Sequence, residues 1–429
     1  MIRHLRWYIA GLLTLATTIN YLDRQALSVA APELRRVFDM SNTEYSWIVS
    51  AFLLAYGVMH PVAGRAIDWL NTRRGYLLAV TWWSIASIGH ALAGGVASFA
   101  VARALLGVGE SGNFPAAVKT IAQWFPDKEK SIATGIFNTG AGLGALIAPP
   151  LVVWIITRFG WQKAFIFTGL SGSLWIALWL LLYHPPEKHP RITPEELEYI
   201  RSGQQMETVA ESCRSEGLLE EIRAGRQSLV NLAALCLARA MTDSVWTFWV
   251  FWLPNYLKDA RDLTLLQIGA IAWIPFLAGD FGSLIGGWLS PLFIRRGASV
   301  LLARKLALSV SASLMPASVL VGCLNVPLAI CCVSFCTLGH QMWASNILTL
   351  PADLFPKRMV AAAYGWTGMC GILGCFLSTL MTGRMVDEVG YDPILFAAGL
   401  MHPVGAALLF SQVRLKRSPE NSPTRGGIC

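Results

Sequence analysis

The charged residues of this 429-residue chain are confined to short stretches separated by nearly uncharged runs of about twenty residues. A helix of that length spans about 30 Å, the thickness of a bilayer's hydrocarbon core. Backbone polar groups must be satisfied internally in lipid, so the runs are expected to be helices. We number them as spans 1 to 12: 7–31, 45–67, 75–95, 97–121, 133–157, 162–184, 229–256, 265–293, 299–323, 326–350, 360–383 and 391–413. The pattern predicts an all-α polytopic membrane protein.

The basic residues are unevenly divided between the two sets of loops. Of the 34 Lys and Arg, 24 lie in the termini, the even-to-odd loops and the central loop, 7 lie in the other loops, and three lie inside spans. The positive-inside rule then places both termini in the cytoplasm of a multi-pass inner-membrane protein. The net charge of +8 follows from this bias, so the bilayer is an expected partner and nucleic acid is not.

An internal repeat divides the chain. One motif recurs at an offset of 222 residues, so that Gly64, Asp68, Arg73, Arg74 and Gly75 correspond to Gly286, Ser290, Arg295, Arg296 and Gly297. Later, Phe125 recurs as Phe355 at an offset of 230. We therefore predict a six-helix bundle at 1–184, a cytoplasmic linker at 185–228, and a second bundle with a cytoplasmic tail at 229–429. In transporters with parallel repeats, the substrate site lies between the halves near the bilayer midplane.

The linker contains one helix signal. Thr193, Pro194 and Glu196 fit the N-cap, N1 and N3 positions of a capping box. A short amphipathic surface helix without chemistry is expected there.

Several motifs resemble known transporters. The twelve spans with the Asp68 to Gly75 loop resemble the major facilitator superfamily. Within it, four segments resemble the anion:cation symporter family: 20–24 in span 1, 103–116 in span 4, 124–130 after it, and 242–257 in span 7. The opening residues 5–8 and the span 7 segment look most like bacterial hexuronate transporters. The resemblance implies transport of a small carboxylate with the proton as co-substrate.

Arg24 is the leading substrate-binding candidate. It lies about 17 residues into span 1, where a charge costs at least about 2.5–3.5 kcal/mol. A guanidinium stays charged there and fits a carboxylate with two parallel hydrogen bonds. The alternative is a structural pair with an acid, and Asp23 is a poor partner because adjacent helical residues point about 100° apart. The resemblance implies anion binding as well.

Two acids are candidates for proton coupling. Glu110 lies mid-span among Gly107, Gly109 and Gly112, where burial favours a protonated carboxyl. Asp23 is a candidate of the same kind, and the resemblance links both acids to proton coupling. A permanently paired structural acid is the alternative for Glu110.

Polar and aromatic side chains could read sugar hydroxyls and ring faces. We predict that Tyr56 contributes, because it lies on the span expected to pack against span 1. The other predicted substrate contacts are Asn20, Tyr21, Asn113, Trp249, Asn255, Asn346 and Trp366. A core or interfacial position is the alternative for each aromatic residue.

Four charged residues are assigned gating or structural roles. Asp68, Arg73 and Arg74 in the loop between spans 2 and 3 could pair across the halves in one conformation and separate in the other. Arg103, two turns from Glu110, could tune that acid without direct contact. In the second half, Arg239 and Asp243 are spaced for an intrahelical pair, and Asp280 is expected to have a packing or gating role.

The sequence also narrows the energy source and the class of protein. It contains no Gly-x-x-x-x-Gly-Lys-Ser/Thr loop, no metal-ligand cluster and no nucleophile–base pair. We therefore expect no cofactor and no enzymatic activity, and a gradient as the driving force. The hypothesis is proton symport of a sugar acid by a monomer, with glucuronate or galacturonate as the favoured substrate. Alternatives are symport of an aldonate, aldarate or aromatic acid, antiport of an anion or drug, phosphate-ester exchange, and a non-transporting sensor.

Overall fold

The computed structural model describes residues 4–202, 226–355 and 357–414. The described residues form helices without a strand. These are α1 (Leu5–Phe38), α2 (Asn42–Leu70), α3 (Thr72–Gly89), α4 (Val96–Glu110), α5 (Asn113–Trp124), α6 (Asp127–Phe159), α7 (Trp161–Leu182), α8 (Pro194–Ser202), α9 (Arg226–Asp259), α10 (Leu265–Ile271), α11 (Ile274–Arg295), α12 (Val300–Ser313), α13 (Ala317–Leu320), α14 (Val326–Ile347), α15 (Leu350–Leu354), α16 (Lys357–Val389) and α17 (Asp392–Gln412), with 3-10 turns at His90–Leu92 and Pro186–Lys188.

Each of the twelve predicted spans falls on one helix or on a helix with a short break. Among the described residues, eight helical segments are long and apolar enough to cross a membrane. The helices that carry Arg24, Glu110 and Arg239 are not among those eight. The chain is therefore a multi-pass membrane protein in which a few helices carry buried charges.

The same capping arrangement begins the second span of each half. At the start of α2, Ser41 and Glu44 form a capping box, and at the start of α10, Thr264 and Gln267 form another. Each box satisfies two backbone N–H groups that a helix N-terminus otherwise leaves unpaired. The repeat read from the sequence thus extends to the local structure at helix starts.

Close helix packing follows the repeat as well. We call residues 4–182 the N-terminal half and 226–414 the C-terminal half. A Cβ placed on Gly144 of α6 would lie 2.6 Å from the Thr18 carbonyl oxygen of α1, and one on Gly374 of α16 would lie 2.2 Å from the Ala240 carbonyl oxygen of α9. These contacts are equivalent at offsets of 230 and 222 residues. Glycine at both positions lets the paired helices approach closely.

The two halves touch near one end of the molecule. The Ser28 hydroxyl donates to the Val250 carbonyl at 2.8 Å, and the Tyr45 hydroxyl donates to the Phe251 carbonyl at 2.8 Å. Arg35 forms an ion pair with Asp259. All of these contacts lie toward the end of α1 and the start of α2, so the halves are closed on the side opposite the beginning of α1.

A charged cluster lies at the other end of α1. The Arg6 guanidinium contacts Glu129 at the start of α6 and Glu196 of the linker helix α8, each at 2.8 Å. The predicted Thr193 cap is present, because its hydroxyl accepts from the Glu196 N–H at 3.2 Å. The remaining linker, 203–225, and the tail, 415–429, lie outside the described residues, so the boundaries at 184/185 and 228/229 stay predictions.

Candidate functional site

The Arg24 guanidinium is held by the Glu110 carboxylate. Arg24 Nε and Nη2 both donate to Glu110 Oε2, at 3.0 and 2.8 Å. The Glu110 side chain is fully buried and that of Arg24 is 13% exposed. Glu110 Oε1 has no hydrogen-bond partner among the described residues. The predicted anion binder and the predicted proton carrier therefore form one buried ion pair between α1 and α4.

Three aromatic rings surround the guanidinium. The Cζ atom of Arg24 lies 4.7 Å from the centroid of the Tyr21 ring, and 5.0 Å from the centroids of both Phe52 and Tyr56. Ring faces attract a cation, and these rings also limit its exposure to water. The structure thus brings the predicted contacts Tyr21 and Tyr56 to Arg24, while Phe52 was absent from the sequence-based set.

Asp23 and Arg103 lie on other sides of α1. The Asp23 carboxylate accepts from the Ser87 hydroxyl at 2.6 Å, and Asp23 is 1% exposed. Arg103 Nη2 donates to the Arg24 carbonyl at 2.9 Å. Asp23 therefore belongs to a packing layer with α3, separate from the Arg24 side chain, and Arg103 fixes the backbone that carries Arg24. Proton coupling by Asp23 stays a prediction.

Two predicted sugar-reading amides take part in helix packing. The Asn113 side chain accepts from the Tyr76 hydroxyl at 2.6 Å and donates to the Thr17 hydroxyl at 3.1 Å. The Asn346 amide donates to the Gly286 carbonyl at 2.9 Å. Both side chains are buried. A substrate role for either residue would require these bonds to break.

The other predicted polar and aromatic contacts are scattered. Asn20, Asn255 and Trp249 are fully buried, and their side-chain polar atoms have no hydrogen-bond partner among the described residues. Trp366 of α16 is 48% exposed. None of these residues contacts Arg24 through a hydrogen bond or ring contact among the described residues, so their substrate roles stay predictions.

The loop charges contact only the N-terminal half. Lys119 donates to Asp68 at 2.7 Å, and Arg73 donates to the Leu180 carbonyl at 2.8 Å. Asn71, beside them, has a φ of 61° and its side chain accepts from the Arg74 N–H. The predicted pairing of this loop across the halves is thus not present in this conformation among the described residues.

The C-terminal half holds the predicted intrahelical pair. Arg239 Nε and Nη2 donate to Asp243 Oδ2, at 3.1 and 2.7 Å. Across the interface between the halves, the Asp280 carboxylate lies against Gly142, where an added Cβ would be 2.1 Å from Oδ1. Asp280 therefore packs on the N-terminal half, which fits the expected packing or gating role.

The sequence-based set missed an aromatic group in the C-terminal half. The rings of Trp246 and His340 are stacked, with centroids 5.1 Å apart and planes at 11°. His340 Nδ1 and His402 Nε2 are 3.1 Å apart. Applying the repeat offsets to Arg24 and Glu110 could have found this group, because 24 + 222 is 246 and 110 + 230 is 340.

A separate cavity does not suit a charged ligand. It lies between α2, α3 and α4 and is lined by apolar side chains such as Met59, Leu78 and Trp82. Its lining offers no polar surface to an anion. The described residues also contain no group of three or more His, Cys, Asp or Glu able to hold a metal ion. The Arg24–Glu110 pair is therefore the leading candidate functional site.

Two repeated helical halves, in contact near one end and carrying a buried ion pair on α1 and α4, are typical of a secondary transporter. The family model for the Major Facilitator Superfamily matches residues 13–379. The chain belongs to this superfamily and is a transporter rather than an enzyme.

Known proteins of similar sequence are transporters. A "Hexuronate transporter" of Escherichia coli (strain K12) is 35% identical over 98% of this chain and 96% of its own length. A "Galacturonate transporter" of Dickeya chrysanthemi is 36% identical over 78% of this chain and 96% of its own length. A "D-galactonate transporter" of Escherichia coli is 29% identical over 94% of each chain.

Solved structures of more distant proteins share the fold. The inward-open xylose transporter of E. coli aligns with a TM-score of 0.73 at 15% identity, covering 96% of this chain and 98% of its own. An inward-facing bacterial homologue of the human lysosomal transporter Spinster aligns with a TM-score of 0.73 at 18% identity, covering 98% of this chain and all of its own. These similarities confirm the predicted helical fold.

Proposed function

We propose that this chain takes up a sugar-acid anion, a hexuronate such as glucuronate or galacturonate, together with protons. The observation that carries the proposal is the buried ion pair of Arg24 and Glu110. A guanidinium fork suits a carboxylate, and a buried acid beside it can exchange its charge for a proton. The relatives named as hexuronate and galacturonate transporters support the hexuronate class.

Coupling follows from competition for one guanidinium. While Glu110 is ionised it occupies Arg24 Nε and Nη2, and a substrate carboxylate entering the site would meet a like charge. A proton on Glu110 removes that charge and frees the fork for the substrate. When the proton leaves, the Arg24–Glu110 pair re-forms and displaces the anion. The observed pair corresponds to the empty carrier in this scheme.

Asp23 is proposed as a second protonation site. Its carboxylate bonds to Ser87, whose hydroxyl lies 3.3 Å from that of Thr168 on α7. A change of charge on Asp23 would therefore alter the packing of α1 against α3 and α7. Through the shared helix α1, that change would reach the backbone of Arg24.

The conformation fits one half of an alternating-access cycle. The halves contact each other through Ser28, Tyr45 and Arg35 on the side opposite the beginning of α1. With both termini in the cytoplasm, as the positive-inside rule predicts, that closed side faces outward. We propose an inward-facing monomer in the inner membrane.

The nearest alternative is symport of another carboxylate, such as an aldonate or aldarate, because Arg24 alone reads only the carboxylate. The relative named as a D-galactonate transporter favours keeping this alternative. Phosphate-ester exchange is less well supported. It would need a second available cation, and Asp243 engages Arg239 at 2.7 Å.

Uptake by purified protein in vesicles tests the proposal. Under an imposed proton gradient, the native protein should accumulate radiolabelled glucuronate or galacturonate, and Arg24→Ala should abolish accumulation. Arg384→Ala is the matched control, because Arg384 is 76% exposed and pairs with Glu388 on its own helix. Full uptake by Arg24→Ala, or no uptake of any sugar acid by the native protein, would contradict the proposal.

A further inference from the structure

The repeat assigns each site residue a partner in the other half. The equivalent glycine contacts of Gly144 with Thr18 and Gly374 with Ala240 align α1 with α9 at an offset of 222. They align α6 with α16 at 230, and Phe125 and Phe355, the C-caps of α5 and α15, keep this 230 offset. Arg24 then corresponds to Trp246, and Glu110 corresponds to His340.

The corresponding residues keep their contact but change its chemistry. In the N-terminal half, Arg24 and Glu110 form an ion pair at 2.8 Å. In the C-terminal half, Trp246 and His340 stack with ring centroids 5.1 Å apart. One half therefore presents a charge to bind an anion, and the other presents an aromatic face at the equivalent position.

Both positions lie one turn from the contact between α1 and α9. The Ser28 hydroxyl donates to the Val250 carbonyl at 2.8 Å, and these two residues are themselves separated by the repeat offset of 222. Arg24 precedes Ser28 by four residues, and Trp246 precedes Val250 by four. A rise of 1.5 Å per residue places both about 6 Å from that contact, on its open side.

The aromatic face is firmly supported from behind. Phe276 packs against Trp246 with ring centroids 6.1 Å apart, and His402 lies behind His340 with Nε2 3.1 Å from His340 Nδ1. No hydrogen bond among the described residues engages His340 Nε2. Trp246 is half-buried, which leaves part of its ring uncovered.

The charges beside this face cancel. Arg239, Asp243 and Trp246 are spaced by four and three residues, so they share one side of α9. Arg239 and Asp243 neutralise each other through bonds of 3.1 and 2.7 Å. The C-terminal wall thus offers an aromatic ring and an imidazole nitrogen without a net charge.

We propose that Trp246 and His340 form the C-terminal wall of the substrate site and select sugar acids in ring form. This inference rests on the proposed function. Arg24 would bind the carboxylate, the Trp246 face would cover the C–H face of the pyranose ring, and His340 Nε2 would bond a ring hydroxyl. An open-chain aldonate has the same carboxylate and hydroxyls but lacks a rigid apolar face. The site therefore favours cyclic hexuronates over open-chain acids.

Calorimetric titration of the purified full-length protein with glucuronate and with open-chain galactonate tests this selection. Trp246→Ala should raise the Kd for glucuronate about tenfold and that for galactonate much less, whereas Trp246→Phe should keep most of the affinity. Trp288→Ala is the control, because Trp288 is 58% exposed on α11. If Trp246→Ala does not fold, His340→Gln serves instead and should also weaken glucuronate binding selectively.

Two results would overturn the inference and are distinguishable. Native protein that binds no hexuronate would contradict the proposed function, and with it this assignment. Native protein that binds glucuronate, with Trp246→Ala and His340→Gln either unchanged or equally weakened for both acids, would overturn the assignment alone.

Discussion

The Asp387 carboxylate of α16 caps the start of α2 in the other half, where it accepts from the Asn42 N–H at 3.0 Å. It also accepts from the Thr43 N–H at 2.8 Å and the Thr43 hydroxyl at 2.6 Å. An acidic side chain at a helix N-terminus satisfies unpaired donors and complements the helix dipole. Here the cap comes from the opposite half, so it forms only while this side of the transporter is closed.

Asp387→Ala should weaken closure on this side. Loss of an N-cap costs about 0.5–2 kcal/mol, which would shift the closed-to-open equilibrium by roughly 2- to 30-fold. Hydrogen exchange measured by mass spectrometry should rise in peptides covering Asn42 and Thr43. Glu388→Ala is the control, because Glu388 pairs only with Arg384 on its own helix among the described residues. Equal exchange in the two variants would show that Asp387 does not hold the closed side.

Gly144→Ala should destabilise the N-terminal half. Its Cβ would lie 2.6 Å from both the Thr18 carbonyl oxygen and the Tyr21 Cβ, so α1 and α6 would have to separate. Overpacking of this kind costs about 1–3 kcal/mol. Thermal unfolding in detergent should show a lower Tm for Gly144→Ala than for Gly135→Ala, since Gly135 on the same helix has nothing within 4 Å of its Cβ position. Equal Tm values would contradict the close packing.

The cluster at the beginning of α1 should make stability depend on pH. Burial acts to raise the pKa of Glu129, but hydrogen bonds from Arg6 and Tyr199 outweigh it and hold that pKa below its usual range. The stabilisation is therefore full above the unfolded-state pKa of about 4.3 and is lost as pH falls through the lower folded-state pKa.

Glu129→Gln tests this dependence. At pH 7 the variant should unfold at a lower temperature than the native protein, and the difference should shrink below about pH 4 as the native carboxylate is protonated. Glu195→Gln, on the linker helix α8 and exposed, is the control. A difference in Tm that stays constant from pH 7 to pH 3 would contradict the assignment.

The sequence predicted the helices better than their partners. Hydrophobic runs separated by basic loops are a local signal, and each predicted span coincides with helix. The four-residue spacing of Arg239 and Asp243 also sufficed to predict their pair, because both lie on one helix. Contacts between distant helices had no such signal.

Glu110 and Glu196 illustrate what local sequence leaves open. Arg24 was expected to bind an anion or to pair with an acid, and only the packing of α4 on α1 identifies Glu110 as that acid. Glu196 was expected to close a capping box within its own helix. Its carboxylate instead accepts from the Leu5 N–H at 2.9 Å and the Arg6 N–H at 3.2 Å, so it caps α1.

The amides Asn113 and Asn346 show a similar ambiguity. A polar residue in an apolar run predicts a polar partner, but that partner can be substrate or another helix. The structure places the Asn113 amide between Tyr76 and Thr17, and the Asn346 amide against α11. The repeat held more information than was used, since its offsets lead from Arg24 and Glu110 to Trp246 and His340.

The central claim is that Glu110 exchanges a proton for its bond to Arg24. Glu110→Gln imitates the protonated acid permanently and cannot release a proton, so substrate exchange and proton-driven accumulation should separate. In vesicles, the variant should retain glucuronate counterflow but lose accumulation under an imposed proton gradient, while native protein shows both. Accumulation by Glu110→Gln at the native level would contradict the account.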